Sequence, residues 1–158
     1  MERDSSRPTP PGHVEFRIAS GEDEELLADI FAEMDTTFFR PHPFTADEAR
    51  RLANYPGRDV YALLAVDGRA VAYGLLRGWD EGYATPSLGV AVRPSAQRRG
   101  YSRLMIESLH AVARARGADR VRLRVHRDNT VARHLYESLG YRYDGEERGE
   151  LVMVVDVG

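Results

Sequence analysis

The fold is decided by the stretch Val90-Ala91-Val92-Arg93-Pro94-Ser95-Ala96-Gln97-Arg98-Arg99-Gly100-Tyr101-Ser102. An apolar strand pattern runs here into a basic loop with glycine at its far end, and this loop opens a long amphipathic helix. The first turn of such a helix presents backbone N–H groups without helical partners and carries partial positive charge. Because Arg98, Arg99 and Arg103 add side-chain charge, the basic loop is predicted to bind an anion such as a diphosphate. The alternative is a surface loop whose arginines are only solvated.

Two segments together carry a family resemblance. Residues Gln97–Ser102 follow a strand and a proline and have the form Q-x-x-G-x-S. A later segment has the form N-x-x-A-x-x-x-Y-x-x-x-G-Y, and its matched positions are Asn129, Ala132, Tyr136, Gly140 and Tyr141. These segments resemble the signatures of the GCN5-related N-acetyltransferase (GNAT) superfamily, with Ser102 standing where that family favours Gly or Ala.

Composition limits the kinds of chemistry available. The 158 residues are 42% hydrophobic and 30% charged, which predicts one domain with its own core, residues 13–158, behind a flexible polar lead, residues 1–12. The chain has no cysteine, which excludes a thiol nucleophile and fits a reducing cytoplasm, the predicted location. All 22 basic residues are arginine, so no lysine can form a Schiff base. A net charge of −3 and the lack of a long apolar run predict neither a nucleic-acid nor a membrane partner.

Hydrophobic periodicity predicts the order β-α-α-β-β-β-α-β-α-β-β. The expected elements are a strand at 15–19, helices at 20–34 and from 45, a hairpin of 60–66 and 69–77, a helix at 100–116, a strand at 120–125, a helix after Asp128 and a closing strand at 151–157. This order is that of the resembled fold. We therefore expect an α/β (α+β) domain with a mixed, mostly antiparallel sheet of six to seven strands and about four helices.

Two helices are expected to bury apolar stripes. On the helix at 100–116 the predicted stripe is Tyr101, Leu104, Met105, Leu109 and Val112. On the helix after Asp128 it is Val131, Ala132, Leu135, Tyr136 and Leu139.

The resemblance implies direct transfer of an acetyl group from acetyl-CoA to an amine. In the family, the strand before the phosphate loop splays from its neighbour, which implies that the Val90 amide polarises the thioester carbonyl and the Val92 backbone pairs with the pantetheine arm. Gly89 beside them favours a local bulge. The residues expected to bind the cofactor are Val90, Val92, Gln97, Arg98, Arg99, Gly100, Tyr101, Ser102, Arg103, Asn129 and Tyr136.

Tyr136 corresponds to the family's tyrosine that protonates the departing thiolate. From the residues alone it is a core tyrosine at helical spacing, and the family match reverses that preference. A phenol with an ordinary pKa of about 10 is protonated at neutral pH and can donate to sulfur. Asn129 begins a helix, lies near the cofactor arm as the family implies, or does both.

Two aromatic segments are candidates for the acceptor pocket. In residues 36–44, Phe38 is expected to plug the core while Phe39 and Phe44 line the pocket. For residues 78–86 there are two hypotheses. In the first, the carboxylates bind a cationic amine or sugar hydroxyls while the rings stack on a sugar face; in the second, the carboxylates are only solvated. The predicted substrate-binding residues are Phe39, His42, Phe44, Trp79, Asp80, Glu81 and Tyr83.

The general base is the least defined part of the site. Pro86 and Leu88 stand where some family members carry Glu or His, so Glu81, Asp80, His42 or a water chain must substitute, and Glu81 is the predicted catalytic residue. No H-x-x-x-H or H-E-x-x-H pairing occurs, and no metal site is predicted.

The predicted function is acetyl-CoA-dependent N-acetylation of a primary amine of a small molecule, with an amino sugar or nucleotide-linked amino sugar as the best match. Alternatives are a protein N-terminal acetyltransferase of the ribosomal-protein type and a non-catalytic domain that binds or senses acyl-CoA. The chain is compatible with a homodimer.

Overall fold

The computed structural model describes residues 12–158, so residues 1–11 of the predicted polar lead lie outside the described part. The helices and strands follow the predicted order. They are β1 (Val14–Ile18), a 3-10 turn (Gly21–Asp23), α1 (Glu24–Ala32), α2 (Ala46–Ala53), β2 (Val60–Val66), β3 (Arg69–Arg77), β4 (Ser87–Val92), a 3-10 turn (Pro94–Ala96), α3 (Tyr101–Ala115), β5 (Arg120–Val125), α4 (Thr130–Ser138), β6 (Arg142–Glu147) and β7 (Glu150–Asp156). Within residues 12–158, no helix is both long and apolar enough to cross a membrane.

The described strands form one seven-stranded sheet in the order β1-β2-β3-β4-β5-β7-β6. Neighbouring strands are antiparallel except for β4 and β5, which run parallel and are in register only at Ser87 and Arg122. There the N–H of Arg122 donates to the carbonyl of Pro86 at 3.0 Å. Beyond this point β4 continues to Val92 without a further described register pair to β5. The predicted α/β fold with a mostly antiparallel sheet is confirmed.

Local geometry confirms one turn and corrects one bulge. Asp67 and Gly68 have φ of 51° and 78° in the β2–β3 hairpin, as a two-residue turn with positive φ requires. The predicted bulge at Gly89 is wrong, since β4 pairs regularly with β3 and the register shift instead lies between β2 and β3, at Leu64 and Ala65. A Cβ on Gly89 would lie 2.8 Å from the ring of Phe39, so the glycine permits a close approach rather than a bulge.

The sheet carries a hydrophobic cluster on each face. Beneath α3 and α4 lies a cluster that includes Leu64, Met105, Ile106, Leu109 and Leu123. The other cluster lies beneath α1 and α2 and includes Leu27, Ile30, Leu52, Leu63 and Tyr73. Both faces of β2 and β3 are therefore buried, as expected for central strands.

Two residues predicted in buried stripes are exposed. Leu104 is 39% exposed on α3, where the neighbouring Ile106 is buried instead. Val131 is 82% exposed in the first turn of α4, where the next residue, Ala132, packs against the core instead. Apolar residue type is thus a weaker guide at a helix end than in its middle.

We predict that Val131→Ala changes the free energy of unfolding by no more than about 0.5 kcal/mol, because an exposed side chain loses no packing. Leu109→Ala, on the fully buried part of α3, should cost about 2–5 kcal/mol. Urea denaturation of both variants measures the difference. Equal destabilisation by the two substitutions would contradict the assigned faces of these helices.

Candidate active site

Alternate backbone groups of β4 point away from β3. Where the pairing of β3 with β4 ends, the N–H of Arg93 donates to the carbonyl of Val71 at 2.8 Å. Alternate residues of an antiparallel strand bond the same neighbour, so Ala91 also pairs with β3. The N–H and C=O groups of Val90 and Val92 instead point toward β5, which has diverged there. These groups are available to a ligand that enters between the strands.

Arg93 fixes the start of the basic loop. Its guanidinium is 1% exposed, and its Nε donates to the carbonyl of Ala70 at 3.0 Å. It also pairs with Asp29 and Glu33 on α1, and this guanidinium lowers the pKa of the Asp29 carboxyl. The sequence alone does not indicate this role of Arg93, because its partners lie about sixty residues earlier in the chain. The sheet, α1 and the basic loop are joined at this one side chain.

The basic loop enters α3 through left-handed backbone. Arg98 has φ of 66° and Gly100, the N-cap residue of α3, has φ of 81°. Turns with left-handed residues orient N–H groups into a shared anion-binding concavity, and the first turn of α3 adds its own unpaired N–H groups. The side chains of Gln97, Arg98 and Arg99 are exposed around this concavity. These residues suit the diphosphate of acetyl-CoA.

Three further predicted cofactor residues lie in the first turn of α3. Tyr101 and Ser102 are half-buried, and Tyr101 packs against the core. Arg103 donates to the Ser138 hydroxyl at 2.9 Å, which joins α3 to α4. Its guanidinium is therefore partly engaged within the protein.

Asn129 and Tyr136 lie at the start and on the buried face of α4. Asn129 is the N-cap, and its side-chain oxygen accepts from the Ala132 N–H at 3.3 Å. Tyr136 packs 5.6 Å from the ring of Tyr141, and burial raises its pKa to about 12. Among residues 12–158, no group hydrogen-bonds its hydroxyl in this structure. Tyr136 therefore stays protonated at neutral pH with its proton uncommitted within this part of the chain.

A cleft of about 760 Å³ opens on the sheet face that carries α1 and α2. It is bounded by residues 38–41, the loop 78–85, the first half of β4, β5 and the β6–β7 turn. We call it the acceptor cleft. Its wall includes Gly89, the residue directly before the free amide of Val90.

Three of the predicted substrate residues line the acceptor cleft, namely Phe39, Glu81 and Tyr83. Phe38 joins them, which corrects its predicted place in the core, because the side chain is 41% exposed and lines the cleft. The sequence indicated an aromatic segment correctly, but periodicity does not fix which ring of a loop points inward.

His42 and Phe44 pack in the core instead. Phe44 lies 5.1 Å from the ring of Phe31, and His42 Nε2 lies 2.7 Å from the Tyr73 hydroxyl. Burial lowers the pKa of His42, which favours the neutral imidazole. Both residues secure the segment that presents Phe38 and Phe39 to the cleft.

Trp79 and Asp80 stabilise the loop 78–85 through contacts outside the acceptor cleft. Trp79 is 6% exposed, with the Arg116 guanidinium 5.3 Å from the centre of its ring. Asp80 accepts from the backbone N–H groups of residues 58 and 59 at 2.8 and 3.0 Å and from the Tyr55 hydroxyl, and these hydrogen bonds lower its pKa. Neither residue lines the acceptor cleft.

The acceptor cleft also has a charged wall that was not predicted from the sequence. Its members are Arg40, Arg77, Arg122, Arg124, Glu147, Arg148 and Glu150. The alternation of β5 did place Arg122 and Arg124 opposite its buried face. It could not reveal that β5 lies beside β4 and that the β6–β7 turn borders the same cleft.

Comparisons with known proteins agree with this geometry. Residues 26–141 match the family model described as Acetyltransferase (GNAT) family. Similar solved structures include an acetyltransferase of the GNAT family from Streptococcus pneumoniae, at TM-score 0.77 and 21% identity over 92% of this chain and 100% of that one. Another is yncA, a putative acetyltransferase from Salmonella typhimurium with acetyl-CoA, at 0.74 and 21% over 92% and 95%. A third is the ribosomal-protein-S18-alanine N-acetyltransferase from Escherichia coli, at 0.71 and 20% over 92% and 95%. At these identities the structures show a shared fold.

We predict that Gly100→Val weakens CoA binding at least tenfold, or about 1.4 kcal/mol, because a β-branched residue resists φ of 81° and distorts the basic loop. Gly117→Val is the matched control, since Gly117 has φ of 87° and equally open surroundings at the other end of α3. It should cost similar stability and leave CoA affinity unchanged by calorimetry. Unchanged affinity in a folded Gly100→Val variant would remove the basic loop from the CoA site.

Tyr136→Phe should lower kcat by on the order of a hundredfold while CoA affinity stays nearly intact, because the ring remains and the proton is lost. Tyr141→Phe serves as control, since that hydroxyl lies 2.7 Å from His110 Nε2 and is already engaged. Steady-state kinetics and CoA titration separate the effects. Normal turnover in Tyr136→Phe, or an equal loss of CoA binding, would contradict the acid role.

Proposed function

Because the chain belongs to the acetyltransferase (GNAT) family, with acetyl-CoA as its cosubstrate, we propose that it acetylates the primary amine of a small molecule. The proposed acceptor is an amino sugar or a nucleotide-linked amino sugar. The cleft volume falls within the usual range of small-molecule sites, about 300–1,000 Å³. Phe38, Phe39 and Tyr83 offer apolar ring surface for a sugar, and Glu81 offers an acceptor for its hydroxyls or its ammonium.

One observation carries this proposal. The acceptor cleft includes Gly89, and the next residue, Val90, has a backbone N–H directed away from β3. An amine in the cleft would therefore lie on the sheet face that carries α1 and α2. From there it would approach an acyl carbonyl bound to the Val90 N–H. Such an arrangement holds the reactants together, which is the main demand of a reaction whose acyl group is already activated.

Three groups of this chain have proposed roles in the reaction. The Val90 N–H stabilises the oxyanion that forms when the amine nitrogen bonds the acyl carbon. As the carbon–sulfur bond breaks, the Tyr136 hydroxyl donates its proton to the leaving thiolate. Glu81 takes the proton that the substrate ammonium loses before the neutral amine attacks, because its carboxylate lines the cleft and no described residue pairs with it. The second proton, which the nitrogen loses as the amide forms, passes through water and restores the proton on Tyr136.

A protein N-terminus is the second acceptor class to be tested. A direct test measures free-CoA release with a panel that contains amino sugars, nucleotide-linked amino sugars and a peptide that begins with alanine. We expect the highest kcat/KM from an amino sugar derivative. A peptide that outperforms every small amine would contradict the proposal.

We predict that Glu81→Gln lowers kcat by about a hundredfold near neutral pH and removes the acidic limb of the kcat profile, because glutamine cannot take the proton from the acceptor amine. Glu25→Gln, an exposed carboxylate on α1 away from the cleft, is the control and should leave kcat unchanged. A loss confined to the acceptor KM, with the pH profile retained, would show that Glu81 binds substrate without acting as the base.

A further inference from the structure

The wall of the acceptor cleft formed by β5 and the β6–β7 turn is rich in arginine. Five arginines and three glutamates line the whole cleft. Some of these charges are already committed within the protein. Arg122 pairs with Glu147, and Arg77 donates to the carbonyl of Pro41 at 3.0 Å. Arg40 likewise donates to the carbonyl of Thr36 at 2.8 Å. Within residues 12–158, Arg124 and Arg148 are then the cleft arginines without a carboxylate or carbonyl partner, and Glu81 and Glu150 are the cleft carboxylates without a cationic one. Both arginines are therefore available to a ligand.

Arg124 is the first of these available groups. It lies on β5 two residues beyond Arg122, opposite Val152 in the ladder, and it is half-buried. Among residues 12–158, no carboxylate lies within 4.0 Å of its guanidinium, and no hydrogen-bond acceptor is assigned to it. Nearby, Arg122 has a carboxylate partner, so the lack of one at Arg124 distinguishes the two residues. A half-buried guanidinium offers five N–H donors in a planar fork suited to carboxylate or phosphate.

Arg148 is the second available group, and its backbone conformation is costly. Arg148 and Gly149 connect β6 to β7 with φ of 52° and 79°, the same pattern as Asp67 and Gly68 in the other tight hairpin. The first position of such a turn favours Asn, Asp or Gly. For a residue with a long side chain, the left-handed backbone conformation costs roughly 1–2 kcal/mol. Strain of this kind concentrates at functional sites. The Arg148 side chain lines the cleft, and no described carboxylate pairs with it.

We infer that the acceptor carries an anionic group, a carboxylate or a phosphate, which Arg124 and Arg148 bind. The inference rests on the proposed function and narrows its substrate class to amines that also bear negative charge. The ammonium and the anionic group of such a molecule would bind at different places in the cleft. Glu81, from the connection between β3 and β4, attracts the ammonium, while the arginines of β5 and the β6–β7 turn repel it and attract the anion.

Two variants test this binding without disturbing the fold. Arg124→Gln keeps most of the side-chain length and removes the charge. Arg148→Asn removes the charge and introduces a residue that the turn prefers, so it should raise the free energy of unfolding while it weakens substrate binding. Arg120→Gln is the control, because Arg120 lies on the same strand and face but pairs with Asp156 outside the cleft.

The probes are matched amines that differ in charge. Glucosamine 6-phosphate and glucosamine form the phosphate arm, and leucine and leucinamide form the carboxylate arm. In whichever pair contains the better substrate, both variants should raise the KM of the anionic amine at least tenfold. The KM of the matching amine without the anionic group should change less than twofold. Arg120→Gln should change neither. Equal effects on charged and neutral amines, or a loss of CoA affinity in Arg124→Gln, would overturn the inference.

A binding measurement keeps the inference testable if none of these amines is acetylated, a result that would count against the proposed function alone. Inorganic phosphate is titrated into CoA-saturated protein while the Arg124 and Arg148 side-chain N–H signals are followed by NMR. We expect saturable shifts that are lost in Arg124→Gln and retained in Arg120→Gln. No shift, or equal phosphate binding in every variant, would refute the anion site.

Discussion

The parting of β4 and β5 imposes the main constraint on this structure. Parallel strands normally satisfy each other along their full length, but here the register includes only Ser87 and Arg122. Val90 and Val92 lie beyond it with backbone groups directed into the gap. A buried backbone group without a partner costs about 1–3 kcal/mol, so a gap of this kind is stable only if water or a ligand occupies it. The proposed site for the acyl carrier thus depends on strand geometry rather than on any one side chain.

The elements around the gap maintain its shape from both sides. Arg93 ties the end of β4 to α1 through Asp29 and Glu33, while α3 begins at the end of the basic loop. On the sheet face that carries α1 and α2, the rings around His42 and the hydrogen bonds of Asp80 position two loops at the acceptor cleft. Under the proposed function, cofactor and acceptor would approach the same segment of β4 from different directions.

Local patterns in the sequence predicted the fold well. The helix predicted from residue 45 begins at a Thr45 cap that accepts from the Glu48 N–H, and the hairpin predicted over 60–77 turns at Asp67 and Gly68 with positive φ. The basic loop and the start of α3 also followed from short-range signals. Each of these features depends on residues close together in the chain, which is why one sequence suffices to predict them.

Features set by distant contacts were not predictable in this way. Trp79 is buried in the cluster beneath α3 and α4 with Arg116 over its ring, and Phe44 is partly buried against Phe31. The spacing of aromatic residues within a loop carries no information about either partner. The charged wall of the cleft depends on strand order as well, since β7 lies between β5 and β6. The site residues that the sequence missed are therefore those that tertiary packing brings together.

Amide hydrogen exchange along β4 tests the central claim most directly. In the free protein, the N–H of Ala91 should exchange slowly because it pairs with β3, whereas those of Val90 and Val92 should exchange much faster. Saturation with CoA should slow exchange at Val90 or Val92 at least tenfold and leave Ala91 nearly unchanged. If Val90 and Val92 are as protected as Ala91 in the free protein, or if CoA does not slow either one, the open edge of β4 is not the acyl-carrier site.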